Sequence, residues 1–339
     1  TQRVRELAFV GDGEELLSID SAGEARRWEL GAMPASVFVG HRDAVERLAV
    51  SSAGDELVSA DAGGQLWAWR LDGGGGARLG EHGGRVTGLV ASPAADGIAR
   101  AVSAGSAGDV VFWVGAAPVR RRAGAAVLDL AGSADGAVIA AATEAGPIEL
   151  FAGDGTPLRV LDGHRGGTEA VAVSADGALL VSGGQDRMVR VWSLAAAERP
   201  PLELGPADDD VRHVRFTPDG ATLVTAGDDG KVRAWTVRGG AVEPSTARLL
   251  ADHRSAVVAL DVDASGTTVV SVGRDHRMIT SPLVGAAAAT TGAVPSTPPW
   301  IAVRGATPRY VVGRADGTIL VRPARRRTFA ELRARLATR

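Results

Sequence analysis

Between Gly163 and Leu194 the chain reads Gly-His-Arg-Gly-Gly-Thr-Glu-Ala-Val-Ala-Val-Ser-Ala-Asp-Gly-Ala-Leu-Leu-Val-Ser-Gly-Gly-Gln-Asp-Arg-Met-Val-Arg-Val-Trp-Ser-Leu, and weaker copies recur from end to end. A repeat of this length means one supersecondary unit stacked many times, because a single unit cannot bury its own apolar face. Within it, short runs rich in valine and leucine (170–173, 179–181, 189–192) are separated by Asp176-Gly177 and by Gly183-Gly184-Gln185-Asp186. Alternating β-branched runs broken by turn residues read as strand, turn, strand, turn, strand.

Gly163-His164, Asp176-Gly177, Ser182, Asp186 and Trp192 together resemble a WD40 repeat, the blade of a β-propeller. The resemblance implies an all-β chain of four-stranded antiparallel blades, with His164, Ser182, Asp186 and Trp192 joined in a hydrogen-bonded tetrad. The chemistry agrees, since a buried aspartate needs donors, and an imidazole, a hydroxyl and an indole N–H supply them.

Eight units fit the template, near 4–39, 40–80, 81–122, 123–161, 163–204, 205–250, 251–291 and 298–324. Their tryptophan slots, at 28, 69, 113, 151, 192, 235, 281 and 322, fall 38 to 46 residues apart. The count argues for eight blades and the resemblance for seven; we expect eight. Closing the ring removes exposed strand edges. The units differ in how much of the tetrad survives. Unit 1 has Ala22 in the aspartate slot, and its histidine slot would precede Thr1. Unit 2 keeps His41 and Ser59 but has Gly63 in the aspartate slot, so its tetrad is expected to be broken. Unit 3 keeps His82, Ser103 and Trp113, with a lengthened loop expected around 107–109. Unit 4 has Ala123, Ala145 and Phe151 in the histidine, aspartate and tryptophan slots. Unit 6 has Thr225, Asp229 and Trp235 but Ala207 for histidine, and unit 7 has His253, Ser271 and Asp275 but Ser281 for tryptophan. Unit 8 has Asp316 and Arg322 in its slots.

Propellers of this kind usually close with a strand from one terminus, and no outer strand for unit 8 is evident. Either 324–327 supplies it or it lay upstream in a longer chain, as in bacterial relatives that carry a propeller beside a kinase, protease or NTPase domain. Thr328-Phe329-Ala330-Glu331 forms a capping box, with Leu332 and Leu336 at helical spacing, so a short basic helix is expected over 325–339.

A net charge of −3 gives no argument for nucleic acid or an anionic membrane, and the absence of cysteine excludes disulfides and thiolate chemistry. No apolar run reaches the ~18 residues of a membrane span; a cytoplasmic chain, monomeric as an isolated domain, is expected. One lysine against 36 arginines resembles a GC-rich bacterial coding bias.

Ser182, His164 and Asp186 have the residue types of a nucleophilic triad, but they fall on tetrad positions and recur with the period of the fold, without a nucleophile elbow. Four of the six histidines sit in tetrad slots and no His-x-x-x-His pair exists, so no metal is expected. His276 is expected to face solvent. Gly73–Gly76 lacks the Lys-Ser/Thr of a phosphate loop. The Asp-Gly pairs at 135, 176 and 219 read as turns, and the arginine triplets 120–122 and 325–327 as solvated edge residues. No cofactor is expected.

Arg42, Arg165 and Arg254 each follow a tetrad histidine, Arg274 precedes a tetrad aspartate, and Arg85 lies in a comparable loop. The resemblance puts these loops on one face, which predicts a ring of arginines interrupted by Asp43, Asp208–Asp210 and Asp228. Trp67, two residues from Trp69 in a slot held by Arg190 and Arg233 elsewhere, is a second candidate contact, as an exposed anchor. The preferred function is a non-enzymatic scaffold presenting this face to a protein or peptide. The alternatives are an enzyme using the central channel, where alanine, valine and leucine predominate, and an anion or nucleic-acid binder using the arginines.

Overall fold

A computed structural model describes residues 41, 43, 45–51, 56–70, 76–92, 100–115, 117–196, 199–263, 265–275, 277–284 and 289–293, and the backbone of strands Val4–Val10, Glu15–Asp20, Ala25–Glu29, Ser36–Phe38, Arg309–Gly313 and Ile319–Pro323. The helix expected over 325–339, the strand expected at 300–304, Ala22, His276, Asp316 and the second arginine triplet lie outside these residues.

Every unit forms its own antiparallel sheet, and the chain is a β-propeller. Units 1, 2, 3, 4, 5 and 7 make four-stranded sheets in chain order; two strands of unit 8 are described. In unit 5 the strands are Thr168–Val173, Leu179–Gly184, Val189–Ser193 and Leu202–Leu204, innermost to outermost. Unit 6 places two segments, Ala241–Val242 and Arg248–Asp252, against its long third strand Lys231–Arg238. From unit 1 to unit 7 each first strand packs on the first strand of the next, and those of units 3 to 7 pack also on the second strand of the unit before. Val4–Val10 likewise lies against Arg309–Gly313, which places unit 1 beside unit 8.

The core lies between neighbouring sheets. In unit 5 the second strand is buried at every residue, because both of its faces are covered by adjacent units. Such a strand reads as a continuous apolar run rather than an alternating one. The clusters that follow cross unit boundaries: Val181, Val191 and Leu204 of unit 5 pack with Val211, Val214 and Trp235 of unit 6.

The turns between first and second strands share one construction. Ser133, Ser174 and Thr217 each donate to Asp135, Asp176 and Asp219, at 2.6, 2.5 and 2.6 Å, and the following Gly136, Gly177 and Gly220 take φ of 71°, 68° and 68°. A left-handed residue is required there, and glycine adopts it without penalty. The Asp-Gly pairs are therefore turns, as expected.

Two expectations are corrected. The loop of unit 3 is not lengthened at 107–109: Ser103 and Trp113 are ten residues apart, as are Ser182 and Trp192. The extra length lies earlier, since His82 and Ser103 are separated by 21 residues where His164 and Ser182 are separated by 18. Nor are the arginines at 120–122 merely solvated. Arg120 donates to the carbonyls of Glu81 and His82 (2.6 and 2.7 Å), and Arg121 reaches forward to that of Gly155 (2.7 Å). An outer strand thus ties its sheet to both neighbours; exposed Arg122 pairs with half-buried Asp109.

Candidate interaction face

Unit 5 builds the full tetrad. His164 Nε2 lies 2.8 Å from Ser182 Oγ, His164 Nδ1 lies 2.7 Å from Asp186 Oδ1, and the Trp192 indole N–H donates to the same Ser182 Oγ at 3.2 Å. Two further donors reach the aspartate, Arg190 Nη1 at 2.7 Å and the Arg165 backbone N–H at 3.1 Å, both to Oδ2. Burial alone would raise the Asp186 carboxyl. The donors from Arg190, His164 and Arg165 outweigh it and hold the group down at about 2. Burial pushes His164 below the usual imidazole range, so the ring is neutral at pH 7.

This set has the bond lengths of a catalytic triad but not the access. Ser182 is fully buried, and its Oγ already accepts from Trp192. No substrate carbonyl reaches it. The histidine and serine of units 2 and 7 are buried in the same way.

Unit 2 corrects the expectation of a broken tetrad. Asp61, two residues after Ser59 rather than four, turns its carboxylate onto His41 Nδ1 at 2.8 Å, while Ser59 Oγ lies 2.7 Å from His41 Nε2 and accepts the Trp69 indole N–H at 2.8 Å. The position of Asp61 is Gly184 in unit 5, where an added Cβ would stand 2.3 Å from the His164 ring. A side chain there points at the imidazole, which is why an aspartate can serve from it. Asp61 Oδ1 also accepts the Gln65 N–H at 2.8 Å, and so closes the turn as Asp186 does for Met188.

Unit 7 keeps His253 to Ser271 at 2.8 Å and to Asp275 at 3.2 Å, while Ser281, in the tryptophan slot, donates to Leu250 O at 3.0 Å. Unit 3 has no aspartate in the slot; His82 presents Nδ1 to Ser103 at 2.9 Å. In unit 6 Thr225, Asp229 and Trp235 stand in register with Ala207 opposite them. There Asp229 is held by Arg233 at 2.8 Å and accepts the Asp208 N–H at 3.3 Å.

The arginines can now be placed. Arg165 and Arg254 are exposed, and the backbone N–H of each is pinned by the aspartate of its own unit, Asp186 at 3.1 Å and Asp275 at 3.0 Å. Arg274, also exposed, adjoins Asp275 and donates its N–H to Ala256 O at 2.9 Å. None of these three guanidinium groups has a carboxylate partner among the described residues. Arg85 is paired with Glu46 at 2.8 Å, and Arg42 lies outside the described residues. Asp43, Asp208 and Asp209 are exposed, and Asp210 and Asp228 are half-buried around Arg212, which also bonds Glu169. Trp67 is half-buried, not free: it stacks on Trp69 at 5.0 Å and 12°, edges onto His41 at 6.3 Å, and donates its N–H to Gln65 at 3.1 Å.

The channel strands carry more polar chemistry than their alanine and valine suggest. Arg47 donates to Thr87 O at 3.0 Å, Thr87 to Val127 O at 2.6 Å, and Asp129 accepts the Val171 N–H at 3.1 Å. His213 bonds the Val257 backbone, and burial lowers its imidazole to about 4. Each of these links joins one first strand to the next. Among the described residues no three His, Asp or Glu side chains converge as metal ligands do.

The family model described as "WD domain, G-beta repeat" matches residues 155–193 and 200–236. Each stretch runs from the outer strand of one sheet through the third strand of the next. The two matched stretches are WD40 repeats. The crystal structure of the computationally designed Ika8 protein is similar to this chain, with a TM-score of 0.74 and 20% identity over 95% of this chain and 96% of that one, which shows the fold. A search of curated proteins gave no sequence match. WD40 domains generally mediate protein interactions, and no helix among the described residues is long and apolar enough to cross a membrane.

Proposed function

We propose that this chain is a non-enzymatic docking scaffold that presents the tetrad face of its propeller to an acidic segment of a protein partner. The observation that carries this reading is the pairing of exposed, unpartnered guanidinium groups at Arg165, Arg254 and Arg274 with loops whose backbone is already fixed. The backbone N–H groups of Arg165 and Arg254 are held by half-buried aspartates, so ordering entropy is spent in folding and not in binding. A guanidinium takes a carboxylate through two parallel hydrogen bonds, which gives direction as well as attraction. Unit 6, between the two arginine-bearing units, presents Asp208, Asp209 and Asp210. A partner with acidic groups flanking a basic one would match the alternation. Arg42, Arg85 and Trp67 extend the proposed surface towards units 2 and 3. The cytoplasm of a bacterium, and a signalling or defence protein as the larger setting, are the context we propose.

The test is proximity cross-linking from the tetrad face in the presumed source cells, comparing the wild-type chain with the triple variant Arg165→Glu, Arg254→Glu, Arg274→Glu. Loss of one partner with the fold intact is the expected result. Unchanged retention would overturn the assignment of the face, and turnover abolished by a channel substitution would overturn the scaffold reading.

A further inference from the structure

Unit 6 retains the receptor for an imidazole without the imidazole. Ala207 stands 18 residues before Thr225, the separation that joins His41 to Ser59, His164 to Ser182 and His253 to Ser271. Its backbone is anchored as theirs is: the Ala207 N–H donates to Arg187 O at 2.8 Å, as that of His253 donates to Gly230 O at 2.8 Å. The slot has therefore kept its position and lost only its ring. In the space that results there is a partly open cavity of about 30 Å³, lined by Ala207, Thr225, Asp229 and Trp235 and walled by Leu204 and Val211. At ~10–15 Å³ per water this is room for about two waters, or a flat five-membered ring.

The polar groups facing the cavity are those that hold an imidazole in the other units. Thr225 is 2% exposed and Trp235 6%, and neither the Thr225 hydroxyl nor the Trp235 indole N–H has a hydrogen-bond partner among the described residues. In unit 5 the equivalent atoms, Ser182 Oγ and Trp192 Nε1, bond each other and His164. Both atoms face the partly open cavity, so a ligand seated there takes the place of water on them. The Asp229 side chain is 2% exposed and supplies the carboxylate for the second ring nitrogen.

We propose that unit 6 is a binding site for a neutral imidazole ring, one nitrogen at Thr225 and the other at Asp229, in the place His164 fills in unit 5. The ring belongs to a small imidazole-bearing molecule or to a histidine side chain of a partner; the chemistry is shared. Neutrality follows from the other units, where burial keeps His41, His164 and His253 below the usual imidazole range.

The experiment is a titration of the purified chain with imidazole at pH 8, following the Trp235 indole N–H resonance, assigned through Trp235→Phe, together with thermal melting. A saturable shift of that one indole signal is expected, with half-saturation on the order of 1 mM, about 0.8 kcal/mol for each of five heavy atoms and so within the ligand-efficiency ceiling of about 1.5. Ala207→His should raise the melting temperature and abolish the shift. Thr225→Val should weaken binding about fivefold, the worth of one hydrogen bond. A histidine-bearing peptide that binds where its alanine analogue does not assigns the ring to a partner protein; binding confined to free imidazole assigns it to a small molecule. An unmoved Trp235 signal at tens of millimolar imidazole overturns the proposal, as does binding that survives in Ala207→His. The readout uses the isolated chain, so it fails or holds separately from the arginine-face reading.

Discussion

Units 4 and 5 are neighbours with the same four strands and opposite signatures. Unit 5 has all four tetrad residues, whereas unit 4 has Ala123, Ala141, Ala145 and Phe151 in their place. Their backbone frames nevertheless agree. The Glu144 N–H donates to Ala126 O at 2.9 Å as that of Gln185 donates to Gly167 O at 3.0 Å. Even the N–H after the histidine slot finds a carboxylate in both, Asp186 for Arg165 at 3.1 Å and Glu149, from the third strand, for Gly124 at 2.7 Å. Phe151 packs edge-on against Phe112 of unit 3 at 5.5 Å and is 3% exposed. The sheet thus follows from apolar packing between units. The tetrad is one of several ways to fasten the loops at one end.

The largest effect expected from this comparison is in unit 4. Phe151→Ala should cost about 3–5 kcal/mol in urea unfolding, since it removes a fully packed ring with no polar network to compensate. A loss below 1 kcal/mol would break the comparison.

Next comes pH. The histidines at 41, 82, 164, 213 and 253 have folded pKa values below 6.5, so the unfolded chain binds protons first and stability falls as pH drops through 6.5. His213, lowered to about 4, accounts for at most ~1.4 kcal/mol for each pH unit between 6.5 and that value. Asp186 works in a lower window: its stabilisation is complete above its unfolded pKa of 3.8 and is lost towards about 2. Melting temperatures from pH 8 to pH 3 should fall from below pH 7 onwards, and His213→Gln should flatten the upper part of the curve.

Asp186→Ala should cost about 2–3 kcal/mol, because it leaves His164 and Arg190 without their carboxylate. Unit 2 sharpens the point. Asp61→Gly alone should cost about 2 kcal/mol, and adding Gly63→Asp should recover at least half of it by restoring the arrangement of unit 5. The smallest effect has the opposite sign. Arg187 has φ of 66° where Gly146 and Gly230 stand in units 4 and 6, so Arg187→Gly should stabilise by up to about 1 kcal/mol.

How far the sequence could be read depended on which residues carried the signal. The period, the strand triplets and the Asp-Gly turns are local chemistry, and they placed the sheets. The complete tetrad at 164, 182, 186 and 192 was legible because four residue types at fixed spacing leave little freedom. Asp61 was missed because a template fixes sequence slots, whereas a carboxylate needs only to reach the imidazole; an aspartate in a position otherwise held by glycine was the available signal. Glu149 was missed for the same reason. Asp129 and His213 were hidden because cross-unit bonds join residues about 40 positions apart, such as Asp129 with Val171 at a separation of 42. The cavity in unit 6 was present in the sequence as Ala207 opposite Thr225, but only packing shows that neighbours do not collapse into it.

The central claim, that packing makes the sheets while the tetrad fastens the loops of the proposed docking face, is tested most directly by hydrogen exchange on Asp186→Ala. The amides of Arg165 and Met188, which donate to Asp186, should lose protection, while Leu179–Gly184 keeps the protection it has in the wild-type chain. Loss of protection across Leu179–Gly184 would mean that the tetrad holds the sheet itself, and would contradict the account.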